Sequence, residues 1–467
     1  MERLGTLASA RIPARNVGAP LFGHRPWPHC CLNKISELVS ALALSRMAIC
    51  LALCCPSLQA TDWPQWRGPQ RNGVSQETGL LKEWPPEGPK LRWEIKESGS
   101  GYSTPAVVGQ HLYVLGNTGL DNEFAQALSV KDGQRKWQTR LGKVGNPNQK
   151  PTFPAARSTP TVDGDLLYAF GSDGDLACLE TGTGLVRWRK NVRTDFGGKP
   201  GTWAYSESPL VDGDALICTP GGTEATLVAL NKKTGEVLWK APVPGGDEAA
   251  YASAFTVEAG GLRQYVQMLQ KGLVGVSAKT GKFLWRYNKT ISRYGANIPT
   301  PVARGETIFC AGAGTGGGLI RLKVNDGAVE PEQVYFSPKL PTAIGGAVLV
   351  GDYLYGTGGQ GMLCVEFNTG NIKWEDRALG AASLCLADGR LYLHSEKGEV
   401  ALVEPTAEGF HEKGRFTPPN QPRHADPMEK AWAYPVVANG LLYIRDHNLL
   451  WCYDVRARPD TKALANP

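Results

Sequence analysis

The stretch Val228-Ala229-Leu230-Asn231-Lys232-Lys233-Thr234-Gly235-Glu236-Val237-Leu238-Trp239 decides the fold. An apolar strand runs into a Thr-Gly turn, and a second strand carries a tryptophan. The turn-to-Trp portion recurs as Asp132-Gly133…Trp137, Thr183-Gly184…Trp188, Thr280-Gly281…Trp285 and Thr369-Gly370…Trp374. Successive tryptophans from Trp137 lie 51, 51, 46 and 89 residues apart. The last interval is two units with one Trp lost, and Tyr335 or Phe336 stands where it is expected. Thr-Gly and Asp-Gly supply the positive φ of a tight turn, and alternating apolar residues give each strand one buried face.

Outward from this core the unit grows to roughly 45 residues, a repeat length typical of propellers. It begins with a Ser/Thr-Pro or similar small-residue entry and a short Val-rich strand. A Gly/Asp turn and an apolar–Tyr strand follow. Four such strands form a sheet that cannot bury both its faces alone, so the sheets are expected to stack around an axis as blades. Each outer-strand Trp should lie between neighbouring blades, burying about 150–250 Å². Units begin near Ser103, Ser158, Glu207, Ala252, Pro299, Gly346, Ala382 and Ala433. The last runs out before its Trp strand, and Leu91-Arg92-Trp93-Glu94-Ile95 at the other end supplies it. The expectation is an all-β, eight-bladed propeller of four-stranded antiparallel blades, closed by that N-terminal strand. Its structural tryptophans are Trp93, Trp137, Trp188, Trp239, Trp285 and Trp374. Seven blades is the rival count, because the units near 299–337 and 382–416 are degenerate.

Composition agrees. The chain has 467 residues, with 56 Gly, 33 Pro and only 20% charged residues, which excludes a coiled coil and a wholly disordered chain. The net charge of +6 comes largely from residues 1–60, and the remainder holds 44 basic and 42 acidic residues. Nucleic acid is not an expected partner. The expected organisation is a leader over 1–60, one propeller over 61–456 and a tail over 457–467. In the leader, Lys34 and Arg46 precede the nine-residue apolar run Met47–Cys55, and Leu58-Gln59-Ala60 reads as a cleavage region. That pattern predicts export to the periplasm or beyond, with cleavage near Ala60–Thr61. A buried apolar helix is the alternative. Cys54 and Cys55 invite lipid anchoring, but Leu53 and Cys54 stand where a small residue is wanted. No later stretch is apolar for 18 residues, so no transmembrane segment is expected in the mature chain, which should be a monomer.

Five of the eleven cysteines lie in the leader; Cys178, Cys218, Cys310, Cys364, Cys385 and Cys452 sit in apolar runs without C-x-x-C spacing and read as buried strand thiols. His111, His394, His411, His424 and His447 are scattered, and no metal site is expected. The run Gly312–Gly318 joins two strands and opens no helix, so it reads as a blade turn rather than a nucleotide loop.

The repeat resembles the quinoprotein-type, or PQQ-like, propeller repeat, marked by an Ala/Val-Leu-Asn/Asp-x-x-Thr-Gly-x-x-x-Trp core that Val228–Trp239 matches best. Trp63-Pro64-Gln65-Trp66-Arg67-Gly68-Pro69 with Arg71-Asn72-Gly73 resembles the start of exported bacterial propellers of this type. The resemblance covers about residues 62–456, and the outer-membrane assembly lipoproteins are a similar family of comparable size. It implies a funnel at one end of the ring, lined by residues just before each innermost strand: Tyr102, Arg157, Glu207, Tyr251, Asn297, Gly345, Ala382 and Trp432. In quinoprotein dehydrogenases a Glu and an Asn hold calcium beside the quinone, which makes Glu207 and Asn297 the alternative calcium ligands here. The Asp that serves such enzymes as base has no counterpart in Pro341–Gly346, C-x-x-C-H does not occur, and the mature chain has no adjacent-Cys pair for the disulfide of the alcohol dehydrogenases. The reading is a non-enzymatic scaffold for protein or peptide partners at the bacterial envelope, with no cofactor. The alternatives are a PQQ-dependent alcohol or sugar dehydrogenase with calcium and a carbohydrate-binding propeller. The expected partner-binding residues are Tyr102, Arg157, Trp203, Glu207, Tyr251, Asn297 and Trp432. Arg157 with Glu207 reads as an ion pair at the channel mouth, with ligand contact the alternative, and Trp203, Tyr205, Tyr251 and Trp432 read either as an aromatic rim for a peptide or sugar or as packing between loops.

Overall fold

The computed structural model describes residues 61–457, apart from 149–152, 423–425 and 427. The leader, the His424 position and the end of the tail lie outside the described residues. Thirty-two strands form eight four-stranded antiparallel sheets, each ordered from its first to its fourth strand in sequence except the last. The blades begin at strands Ala106–Val108, Thr161–Asp163, Leu210–Asp212, Phe255–Ala259, Val302–Arg304, Ala347–Val350, Ala382–Ala387 and Val436–Ala438. In the eighth, Val436–Ala438, Leu441–Asp446 and Leu449–Asp454 are completed by Lys90–Ile95, paired antiparallel to Leu449–Asp454. The chain ends therefore meet in one sheet, and the count is eight.

The repeated motif locks each blade to the next. The turn glycines adopt φ of 74° (Gly133), 72° (Gly184), 75° (Gly235), 70° (Gly281) and 76° (Gly370). Each donates its N–H to the carbonyl four residues back, at 2.8–2.9 Å. The turn also lies under the aromatic ring of the preceding blade. A Cβ at Gly184 would sit 2.6 Å from the Trp137 ring, and one at Gly281 2.5 Å from Trp239. For three of the tryptophans the indole N–H bonds the carbonyl three residues before that glycine, Trp93 to Val130 at 2.9 Å, Trp137 to Thr181 at 2.8 Å and Trp188 to Lys232 at 3.0 Å, whereas Trp285 Nε1 donates to Gln264 Oε1 at 2.7 Å.

The two degenerate units keep this geometry by substitution. Tyr335, not Phe336, takes the Trp register of blade five; its hydroxyl donates to Phe367 O at 2.8 Å, over Gly370. In blade seven the register position is Gly414, and a Cβ there would lie 2.6 Å from the Cβ of Trp84. The N-terminal segment thus lays Trp84 where that blade lacks its own aromatic, 5.3 Å from the Phe416 ring.

The Ser/Thr-Pro entries form a second belt. Ser208 Oγ accepts the N–H of Thr159, Ser253 Oγ that of Ser208, and Thr104 Oγ1 that of Tyr434, at 2.8–3.1 Å. These bonds satisfy backbone donors where the blades converge. The six cysteines after the leader are free and buried. Among the described residues one short helix, α1 (Val192–Phe196), is capped by the side chain of Asn191. Among the described residues no helix is long and apolar enough to cross a membrane.

Candidate ligand-binding funnel

The loops that lead from each outer strand to the next blade gather at one end of the ring and enclose a cavity of about 270 Å³. Seven aromatic residues line it: Trp66, Tyr102, Phe153, Trp203, Tyr251, Trp432 and Tyr434. Ile298, Ile344, Ala296, Met428, Ser206 and Arg157 complete the described wall. The rings brace one another. Tyr102 and Phe153 lie 5.1 and 5.5 Å from Trp432, and Trp203 lies 5.9 Å from Tyr251. The Tyr251 hydroxyl accepts the backbone N–H of Trp203 at 3.0 Å.

Arg157 is the one charged residue among the described lining. Its guanidinium donates to Phe153 O and lies 5.1 Å from the Tyr102 ring centroid. Burial lowers its pKa, and Tyr102, Tyr251, Glu123 and Glu429 counter that shift. Tyr102 donates its hydroxyl to Glu429 Oε1 at 2.8 Å, and burial raises the phenol pKa.

Of the residues singled out from sequence, Tyr102, Arg157, Trp203, Tyr251 and Trp432 come together in this wall. Glu207 and Asn297 do not. Glu207 is 2% exposed; its carboxylate accepts Thr219 N–H at 2.5 Å and Gln267 Nε2–H at 2.7 Å. Burial raises its pKa to about 7, while Arg71 acts in the opposite direction. Asn297 is fully buried; its Oδ1 accepts Ser292 N–H at 2.7 Å and its Nδ2 donates to Leu269 O at 2.8 Å. The expected Arg157–Glu207 pair does not form, because Glu207 folds back into the seam between blades three and four. Tyr205 is no rim residue either: it is 1% exposed and bonds Pro220 O.

A quinone with calcium, which the quinoprotein resemblance brings to mind, fits these residues poorly. The oxygens of Glu207 and Asn297 that would meet the ion are committed to protein donors, and neither residue reaches the cavity. Among the described residues no group of three or more His, Cys, Asp or Glu side chains is placed to hold a metal. His394 is buried and bonds Ala433 O at 3.0 Å.

Sequence reasoning missed the floor. Residues 61–77 form a loop that enters the central channel from the opposite end. At its base Asp62 Oδ1 accepts Gly109 N–H, in the first turn of blade one, and the Glu77 carboxylate accepts Asn439 and Gly440 N–H in blade eight. Inside, Trp63 pairs with Val107, Pro64 O accepts Val162 N–H, and Ser75 N–H reaches Leu386 O. Near the tip, Trp66 Nε1 donates to Thr300 Oγ1 at 3.0 Å, and its ring meets Tyr434 edge-on at 4.6 Å. Arg67 reaches Ala347 O at 2.5 Å, and Arg71 reaches Ser208 O and Pro209 O at 2.8 and 3.1 Å.

Blades one, two, three, five, six, seven and eight thus each hold the loop. Both arginines are nearly fully buried, and burial lowers their pKa, Arg71 to about 9. Gly68 and Gly73, both at φ 81°, leave no room for a Cβ beside the Trp63 ring and Val348. The funnel is blind: the chain's own N-terminal segment closes it beneath.

The eight-bladed ring of four-stranded antiparallel sheets is a β-propeller, and its repeats are of the PQQ-like type. The family model described as outer membrane protein assembly factor BamB matches residues 71–219 and 203–407, and the chain belongs to that family. BamB of Burkholderia pseudomallei is 24% identical over 262 residues, 54% of this chain and 61% of that protein. BamB of Kangiella koreensis is 25% identical over 223 residues, 46% of this chain and half of that protein. The chain thus spans about half to three-fifths of the length of these relatives. A polyvinylalcohol dehydrogenase of Sphingopyxis is 26% identical over 39% of this chain and 28% of its own. Among solved structures, a quinohemoprotein alcohol dehydrogenase of Pseudomonas putida superposes with TM-score 0.59 at 13% identity, covering 85% of this chain and 81% of its own. BamB of Moraxella catarrhalis gives 0.50 at 15%, covering 73% and 95%. At these identities the likeness extends to the fold alone.

Proposed function

We propose that this chain is an exported scaffold at the bacterial envelope that holds a protein partner, and that the funnel seats apolar or aromatic side chains of an extended partner segment. The observation that carries this reading is the blind cavity. Seven rings present flat apolar faces, each pairing worth about 0.5–1.5 kcal/mol beyond burial, and a single guanidinium supplies a polar anchor. Rigid, mutually braced aromatics around a pocket are the composition of a binding hot spot. Membership of a family described as an assembly factor supports a protein ligand.

The test is a photo-crosslinking aromatic residue placed at Trp203 in the envelope of the native host. The expected result is a cross-link to an envelope protein that disappears with Trp432→Ala and is absent when the probe is moved to Leu185 on the outer rim. Equal yields at both positions contradict the reading. So does tight stoichiometric binding of pyrroloquinoline quinone with calcium together with alcohol- or aldose-driven dye reduction, which would favour the dehydrogenase alternative.

A further inference from the structure

Glu77 closes the base of the channel loop and carries more donors than a neutral hinge requires. It is 2% exposed. Its Oε1 accepts the backbone N–H of Thr61 at 2.7 Å, the Thr61 hydroxyl at 3.0 Å and Asn439 N–H at 2.8 Å, and its Oε2 accepts Gly440 N–H at 2.9 Å. Yet among the described residues no Lys, Arg or His forms an ion pair with it. A carboxylate that deep is ordinarily matched by a cation.

The residue whose nitrogen lies nearest is the one that follows the leader's cleavage region, Leu58-Gln59-Ala60. We infer that hydrolysis of the Ala60–Thr61 bond creates the missing cation, and that the new Thr61 α-ammonium pairs with Glu77 to lock the channel loop. Water adds across the amide: the C–N bond breaks, Ala60 leaves with a carboxylate, and the Thr61 nitrogen becomes an ammonium where it had been an amide N–H. Its position 2.7 Å from Oε1 is already built. A hydrogen bond from a neutral amide to the carboxylate becomes one between opposite charges.

The lock has a direction. Asp62 and Glu77 anchor the two strands of the loop to blades one and eight, and Trp66, Arg67 and Arg71 lie between them. Processing therefore fastens the element that floors the funnel. A mature chain that began upstream, for instance at an acylated Cys55, would leave Thr61 an amide and Glu77 without its cation.

The inference rests on export, and the experiment separates the two. The full-length precursor is expressed in its host, and the envelope and cytoplasmic fractions are analysed by intact mass and N-terminal sequencing. Beside it stands a version with Gly-Ser inserted after Ala60, so that cleavage leaves Thr61 acylated by two residues. The expected result is an exported chain beginning at Thr61. Its α-amine, titrated by isotopic reductive methylation, should have a pKa above the ordinary range of about 7.7–8.0. At pH 7 its folding equilibrium constant should exceed that of the extended chain about tenfold for each unit of that rise. The group's folded pKa is raised, so the advantage is full below about pH 8 and is lost as pH climbs through the folded value. Glu77→Gln should abolish the difference; if that variant does not fold, the amine titration of the unaltered protein decides.

An exported chain that begins elsewhere overturns the inference and leaves export standing. So does a chain that begins at Thr61 with an ordinary amine and no advantage over the extended version. A chain retained in the cytoplasm with residues 1–60 attached overturns both.

Discussion

Gly184→Ala probes the device that repeats around the ring. Gly184 holds φ at 72°, and a Cβ added there would sit 2.6 Å from Cδ2 and Cε3 of Trp137 and 2.8 Å from Thr139 Oγ1. Real Cβ contacts do not approach so closely, and neither contact is the tip of a flexible side chain. Alanine in the left-handed region costs about 1–2 kcal/mol by itself. Trp137 must also move, which stretches its 2.8 Å bond to Thr181 O and loses about 1 kcal/mol more, and the displaced ring unpacks from its neighbour. The expected total is about 3 kcal/mol.

Gly182→Ala is the matched control, because it lies in the same turn with nothing within 4 Å of the added Cβ. It should fall within about 0.5 kcal/mol of wild type. Urea unfolding, followed by tryptophan fluorescence and far-ultraviolet circular dichroism, reads both. Trp137→Ala in the Gly184→Ala background should cost less than the two single changes added together, because the collision is gone. Equal midpoints for Gly184→Ala and Gly182→Ala would refute the interlock, and strict additivity in the cycle would refute its steric origin.

Other outcomes follow from the same geometry. Removing residues 61–96 takes away both the strand that closes blade eight and the channel loop. The chain should then lose its single cooperative melt and expose the edge of Leu449–Asp454 to self-association, which light scattering would detect. Arg71→Ala leaves the buried Ser208 carbonyl without its guanidinium donor and Pro209 O with the Thr161 hydroxyl alone, and should cost about 1–3 kcal/mol in urea titrations. Burial raises the Glu123 carboxyl to about 7, against bonds from Ser172 that favour the ion. Because its folded pKa lies above the unfolded one, the folded state holds the extra proton, and stability should fall by a few kcal/mol as pH rises from about 4.5 to 7. Glu123→Gln should flatten that slope in melts taken across this range.

What the sequence revealed follows from what repeats. The Thr-Gly turn and its Trp are legible because each blade faces the same physical demand: a positive φ, no Cβ, and a flat ring to fill the wedge to the next blade. Closure by Trp93 was legible as well, since a three-stranded unit at one end and an orphan Trp strand at the other can satisfy each other only by pairing. Where a blade meets the demand by another route, the pattern blurs. Tyr335 keeps the hydrogen bond with a phenol, and blade seven borrows Trp84 from a segment some 330 residues away in sequence. No local reading finds that loan, because Gly414 looks like an ordinary strand glycine.

The funnel shows the same limit from the other side. The quinoprotein-type resemblance implies that the residues just before each first strand face the funnel, and through it Tyr102, Arg157, Tyr251 and Trp432 are named by their place in the repeat, and Trp203 by its neighbourhood. Position does not say which way a polar residue turns. Glu207 and Asn297 sit at equivalent steps of the repeat, but a carboxylate or amide near buried backbone N–H groups satisfies those groups first, since leaving them bare costs about 1–3 kcal/mol each. Small, flexible polar side chains therefore withdraw into the seams between blades, and the large rings, which have no donors to satisfy there, are left to wall the cavity. The floor escaped notice for a different reason. Trp66, Arg67 and Arg71 belong to no repeat, so neither periodicity nor spacing says where they lie. They are buried because the hub of an eight-bladed ring is lined by free strand-entry carbonyls, and guanidinium groups with several fixed donors each can answer those of Ser208, Pro209 and Ala347 together.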